Sequence, residues 1–116
     1  MDLVNRIVEL ALEKKGKQIA VMDISKVTNI ADHFVVISGD SDMHVKAITD
    51  HIDKTLKEED VRLYHREGYQ NLRWVLLDYV DVVIHIFQRD SREYYGIERL
   101  WADAKIEFVM EKEYEQ

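Results

Sequence analysis

The chain contains no cysteine and no proline, and only four glycines. Without cysteine there are no disulfides, no thiolate metal sites and no cysteine nucleophile, a composition suited to a reducing cytosol. Without proline no stretch reads as a proline-rich linker, and the 116 residues fit one domain over residues 1–116. No apolar run approaches the ~18 residues that a membrane span needs. The first residues, MDLVNRIVELALEKK, mix charged and apolar side chains and lack the basic start and small-residue cleavage site of a signal peptide. The expected location is the cytoplasm, with no membrane contact.

Catalytic and metal-binding patterns are equally scarce. There is no G-x-S-x-G elbow, no G-x-x-x-x-G-K loop and no H-E-x-x-H. His44 and His51 are seven residues apart on one expected helix, about 10 Å along its axis, too far to share a zinc ion. His33, His65 and His85 fall on separate strands, and His85, inside an apolar run, reads as a core or interface histidine. Neither a metal nor another cofactor is expected. The turn Gly39-Asp40-Ser41 before a helix has the composition of a phosphate-holding turn, as in polymerase-β-type nucleotidyltransferases. Those enzymes also need a strand-borne carboxylate pair for magnesium, and no D-x-D stands at the required distance. Asp50 and Asp53 are one helical turn apart, which is ordinary solvated-face spacing, and Asp78 and Asp81 flank a turn. Gly39 to Asp42 therefore reads first as a turn with a helix N-cap.

What the chain does have is apolar surface: 47% of its residues are hydrophobic, against a formal charge of −7 from 23 acids and 16 bases. An acidic chain of this kind suits a basic protein partner better than nucleic acid, whose phosphates favour bases. The richest stretch is Leu72 to Arg89. Arg73 to Asp78 and Val82 to Gln88 read as strands, and the three residues between them allow only an antiparallel hairpin. The second strand has no polar face apart from His85 and so should be covered on both sides. The first alternates: Arg73, Val75, Leu77 and Tyr79 share one side, Trp74, Leu76 and Asp78 the other. One of those sides has more apolar surface than a single core needs. The turn Tyr79-Val80-Asp81 carries no Asn-Gly or Asp-Gly, which leaves its type open.

The remaining elements follow from periodicity. Asp2 to Lys15 is an amphipathic helix with Leu3, Val4, Ile7, Val8 and Ala11 as its stripe, Asp2 as cap and Gly16 as stop. Ile19 to Ile24 and His33 to Ser38 are strands. Asp42 to Glu59 is a helix facing inward through Val45, Ile48, Ile52 and Leu56, capped by Ser41 or Asp42. Val61 to His65 is a third strand, Asp90 to Ala102 is helical with Gly96 as its point of interruption, and the end of the chain after about residue 108 frays. The fold class is α/β: a single mixed sheet of about five strands flanked by helices, because a long crossover and a hairpin both occur.

Several ordered motifs then resemble the ribosomal silencing factor family, also called Iojap. They are Asp23-Ile24-Ser25, Ala31-Asp32-His33-Phe34-Val35-Val36-Ile37-Ser38-Gly39, Glu67-Gly68, Trp74-Val75-Leu76-Leu77-Asp78-Tyr79, Val82 to Phe87, Tyr94-Tyr95 and Glu98-Arg99-Leu100-Trp101. The family often has tyrosine where His33 stands, a minor departure. The resemblance implies a nucleotidyltransferase-like sheet without enzymatic activity. It implies binding to the large ribosomal subunit through its ribosomal protein fourteen, a block on small-subunit joining, repression of translation, and homodimers. The contact surface that it implies maps onto the hairpin and its lead-in: Trp74, Leu76 and Asp78, with Tyr69 and His65. The rival classes are a nucleotidyltransferase-like enzyme and a dimeric scaffold that does not bind ribosomes.

Overall fold

A computed structural model of the protein describes residues 2–109. The elements run α1 (Leu3–Glu13), β1 (Lys17–Asp23), β2 (His33–Gly39), α2 (Asp42–Glu58), β3 (His65–Glu67), β4 (Trp74–Asp78), β5 (Val82–Gln88), α3 (Arg89–Tyr95), α4 (Ile97–Leu100) and β6 (Lys105–Phe108). The strands form one sheet in the order β3-β4-β5-β2-β1-β6. β2 and β5 are parallel at its centre, and every other pairing is antiparallel. The expected hairpin is present, with Trp74 opposite Phe87 and Asp78 opposite Val83.

The sheet has six strands among the described residues rather than about five. The additional one, β6, lies in the charged stretch after Ala102 and pairs with β1 from Ala20↔Phe108 to Asp23↔Lys105. Its alternation of Lys105, Ile106, Glu107 and Phe108 is a period-two pattern too short to stand out, and charges suit an edge strand. The third strand is displaced as well. Val61 to Leu63 carry no ladder and pack sideways on the core, and pairing begins at His65↔Asp78. Tertiary pairing rather than β-propensity sets that boundary. The expected fraying of the tail concerns residues outside those described, apart from Phe108 and Val109, of which Val109 is held by a hydrogen bond from its N–H to the Ile19 carbonyl (2.8 Å).

The two faces of the sheet are covered unequally. On one, α1 and α2 lie over Val35, Ile37, Ile84, Ile86, Val75 and Leu77, with Ile7, Leu10, Ile48, Ile52 and Leu56 as the helical side of a fully buried core. On the other, Ala20, Met22, Phe34, Val36, Val83 and Phe87 are met by the short α3 and α4 and the residues after them, chiefly Tyr95, Ile97, Trp101 and Ala104, with Ile24 and Ala31 beside them. Helices of 11 and 17 residues cover the first face, whereas α3 and α4 have seven and four. The second cover is too short to close over the hairpin end of the sheet.

Local chemistry holds these pieces in place. Asp2 caps α1 through Val4 N–H (3.0 Å) and Ser41 caps α2 through His44 N–H (3.1 Å). The left-handed residue that ends α1 is Lys15 (φ 61), not Gly16. Gly16 is required for closeness instead, since a Cβ there would stand 2.9 Å from Ile37 Cγ2. At Gly68 (φ +81) a Cβ would stand 2.0 Å from the Trp74 carbonyl oxygen, so the loop leading into β4 needs glycine.

The C-terminal cover is anchored by Arg92. This buried guanidinium donates to the Gln18 carbonyl at the bulge of β1, to Ser38 Oγ (2.9 Å) and to both carboxylate oxygens of Glu98, Oε2 at 2.9 and 3.2 Å and Oε1 at 3.4 Å. It thereby ties α3, α4 and two strands together. Arg92→Ala leaves the half-buried Glu98 carboxylate and the Gln18 carbonyl without their donor and should cost roughly 3 kcal/mol. Arg92→Lys should recover under half of that, because an ammonium cannot reproduce the two-pronged contact with Glu98. Urea denaturation of the three proteins checks both values.

Candidate functional site

β4 places Val75 and Leu77 in the core beneath the long helices and turns Trp74, Leu76 and Asp78, all half-buried, to the opposite face. There Trp74 is partly packed by its own chain. Its indole stacks on Phe87 (4.9 Å between centroids), leans on Tyr95 (4.8 Å) and donates its N–H to His85 Nδ1 (3.1 Å). Beside it runs an open groove of about 340 Å³. Phe34, Val83 and His85 form its floor, Trp74, Leu76 and Asp78 one wall, and Ile97, Leu100 and Trp101 the other. Ile30 (63% exposed) and Leu100 (75% exposed) make apolar lips, while His65 and Glu67, 3.1 Å apart, close the β3 side. The groove is therefore apolar at its base and acidic along one edge.

Of the five residues singled out in the sequence, Trp74, Leu76, Asp78 and His65 converge on this groove. Tyr69 does not. Its hydroxyl donates to Asp50 Oδ1 (2.7 Å) and the Arg66 guanidinium lies 4.3 Å above its ring, so it clamps the β3–β4 loop onto α2 on the other side of the sheet. Residues that the sequence reading missed are Ile30, Phe34, Leu100 and Trp101. Leu100-Trp101 follows the Gly96 interruption as an apolar pair on a helix too short to show periodicity. Ile30 sits in a polar loop with no pattern at all.

His85 is buried, and burial pushes its imidazole down to about 3. It is neutral, and because Nδ1 accepts from Trp74, the ring proton sits on Nε2. That Nε2 is buried without a hydrogen-bond partner among the described residues, and Phe34 meets the ring edge-to-face at 4.6 Å. The hairpin turn carries a second strained feature. Val80 adopts φ 76, and Asp81 N–H bonds back to the Tyr79 carbonyl (3.0 Å). A three-residue turn with positive φ at a β-branched residue is rare and strained. Asp78 stabilises it by accepting the Val80 N–H at Oδ1 (2.8 Å), which leaves its second oxygen for other contacts.

The remaining sequence candidates have structural partners. His44 Nδ1 accepts the Asp40 N–H and its Nε2 faces the Lys14 carbonyl, both at 2.8 Å, so it ties the start of α2 to the end of α1. His51 Nε2 meets Glu13 at 2.7 Å. In the Gly39–Asp42 turn, the Asp40 and His44 amides are engaged by the protein itself, in accord with a turn and N-cap. Asp50 is bound to Lys46 and Tyr69, and Asp53 lies 3.5 Å from Arg66. Among the described residues no three metal-ligating side chains come together, and no helix is long and apolar enough to cross a membrane.

Fold and groove together define a mixed α/β protein whose one incompletely covered sheet face presents an apolar, acid-edged groove. Over residues 1–116 the chain matches the family model described as ribosomal silencing factor during starvation. It is 37% identical over 103 residues to the ribosomal silencing factor RsfS of Halalkalibacterium halodurans, covering 89% of this chain and 88% of that protein. It is 38% identical over 111 residues to that of Chromobacterium violaceum, covering 92% and 91%. A crystal structure of a protein from Chromobacterium violaceum superposes with a TM-score of 0.78 at 38% identity over 95% of this chain and 94% of that one. The chain belongs to the ribosomal silencing factor family. A more distant relative, 28% identical over 101 residues, is a mouse protein named for mitochondrial assembly of the ribosomal large subunit, of which the match covers 44%.

The buried histidine makes stability depend on pH. Its folded value lies below the unfolded one of 6.5, so the unfolded chain binds the extra proton. The contribution is complete above about pH 6.5 and is lost as pH falls toward 3, at up to ~1.4 kcal/mol per unit. His85→Leu should remove that part of the slope while releasing the Trp74 indole. Chemical denaturation of both proteins from pH 7 to pH 4 tests this; parallel stability curves would count against it.

Proposed function

We propose that the protein is a translational repressor of the cytoplasm. It docks through the β4 groove on the large ribosomal subunit, at its ribosomal protein fourteen, and obstructs joining of the small subunit by occupancy alone. The observation that carries this reading is the groove: an apolar floor and lips left uncovered on one sheet face, with Asp78 and Glu67 along its edge. Apolar burial supplies affinity, and carboxylates suit the basic side chains of a ribosomal protein. A steric mechanism asks for shape and surface rather than a reacting group. The fold family and the ribosomal name of the mouse relative point the same way.

The same surface supports a weak homodimer, because a self-complementary patch about a two-fold axis needs only one groove. Dimer and ribosome contact then compete. Leu100 and Asp78 are the informative positions, since Trp74 is also internal packing. Leu100 is a lip residue with little contact to the core, so Leu100→Asp should fold normally. It should bind isolated large subunits at least about tenfold more weakly, and Asp78→Asn several-fold more weakly. Both should relieve inhibition of subunit joining. Co-sedimentation and light-scattering association assays measure these effects. Folded variants with the parent's affinity and inhibition would sink the proposal.

A further inference from the structure

Edge strand β3 separates two depressions. One is the apolar groove. The other, on the α2 side, is a furrow of about 880 Å³ whose lining includes Lys57, Arg62, Tyr64, His65 and Arg66 and also Asp53 and Asp60, three cations against two acids. His65 borders both. In a chain of net charge −7 this is a local reversal of sign. Arg66 is partly engaged, 3.5 Å from Asp53 and stacked over Tyr69. Lys57 and Arg62 are exposed and make no ion pair among the described residues. Between the arginines stands Tyr64, 74% exposed, its ring in contact with none of the aromatic neighbours that the other face provides.

We propose that this furrow binds RNA, with Lys57 and Arg62 on backbone phosphates and the Tyr64 ring stacked on an unpaired base. The inference rests on the ribosome-docking reading, since a ribosomal protein seated in the groove places the furrow beside the RNA that surrounds it. Three features favour RNA over an acidic protein segment. Uncommitted cations gain affinity by releasing the counterions of a phosphate backbone. A bare aromatic ring between cations is the arrangement that stacks nucleobases without reading sequence. The furrow also adjoins the groove across His65, within reach of what surrounds a partner docked there. The acidic remainder of the surface repels RNA elsewhere, which confines the contact to this edge.

The experiment measures binding of the full chain to isolated large subunits at several salt concentrations, beside a fluorescein-labelled 12-nucleotide oligouridylate. The proteins are the parent, Lys57→Gln/Arg62→Gln, Tyr64→Ala, Tyr64→Phe and the groove variant Leu100→Asp. The varied furrow positions Lys57, Arg62 and Tyr64 are exposed, and thermal melts establish that each protein is folded. The double variant should bind subunits roughly tenfold more weakly, and its log–log salt slope should fall by about 1.4, two single-strand phosphate contacts. Tyr64→Ala should lose about tenfold and Tyr64→Phe nothing, because stacking uses the ring and not the hydroxyl. Leu100→Asp should weaken subunit binding with an unchanged salt slope and unchanged oligouridylate binding. If the parent binds subunits and the furrow variants bind equally well, the RNA contact is wrong and the docking reading survives. If the double variant loses affinity but Tyr64→Ala does not, and oligouridylate does not bind, an acidic protein segment occupies the furrow and the proposal fails. If the parent does not bind subunits at all, the docking reading fails, and absence of salt-dependent oligouridylate binding then removes the RNA proposal with it.

Discussion

Two parallel strands at the middle of the sheet, β2 and β5, are apolar on both faces, and the rest of the molecule answers to that. His33 to Gly39 and Val82 to Gln88 pair residue for residue, and between them they bury twelve of their fourteen side chains or glycine positions without leaving a wet face. Such strands need cover above and below. The 11-residue α1 and 17-residue α2 supply it on one side with two full amphipathic stripes. On the other side the cover among the described residues is α3, α4 and the turn after them, pinned by Arg92. The groove is the space that this shorter cover leaves.

That asymmetry connects packing to the proposed function. A groove built from residues left over by the core is held rigid by the core. Trp74 is fixed by Phe87, Tyr95 and the His85 acceptor, so a partner meets a ring already in place rather than one it must order. The buried Nε2 proton of His85 and the strained Val80 turn both lie at this end of the sheet.

Much of this was legible in the chain. The alternation Trp74-Val75-Leu76-Leu77-Asp78 announced two unlike faces, and the structure keeps that division residue by residue. The stripe Val45, Ile48, Ile52 and Leu56 identified the inward side of α2, and all four are fully buried. Asp2 and Ser41 could be named as caps because capping is a contact within three residues. The family resemblance rested on motifs spread along the chain, and the comparisons agree with it.

Other features depended on residues far apart in the chain. β6 is a strand because β1 has an open edge for it, and four alternating residues cannot signal that alone. Arg92 is the anchor of the C-terminal cover because Gln18 and Ser38, 74 and 54 residues away, reach it. Tyr69 looked like part of the lead-in to β4 on the groove side, but the loop turns at Gly68 and hands it to Asp50 and Arg66 behind the sheet. Ile30, Leu100 and Trp101 join the groove only through the fold. Period and capping are local, short-range regularities and so are written in the order of residues. Which side of a sheet is left uncovered depends on how far each covering segment reaches, and that is settled only when all of them are packed.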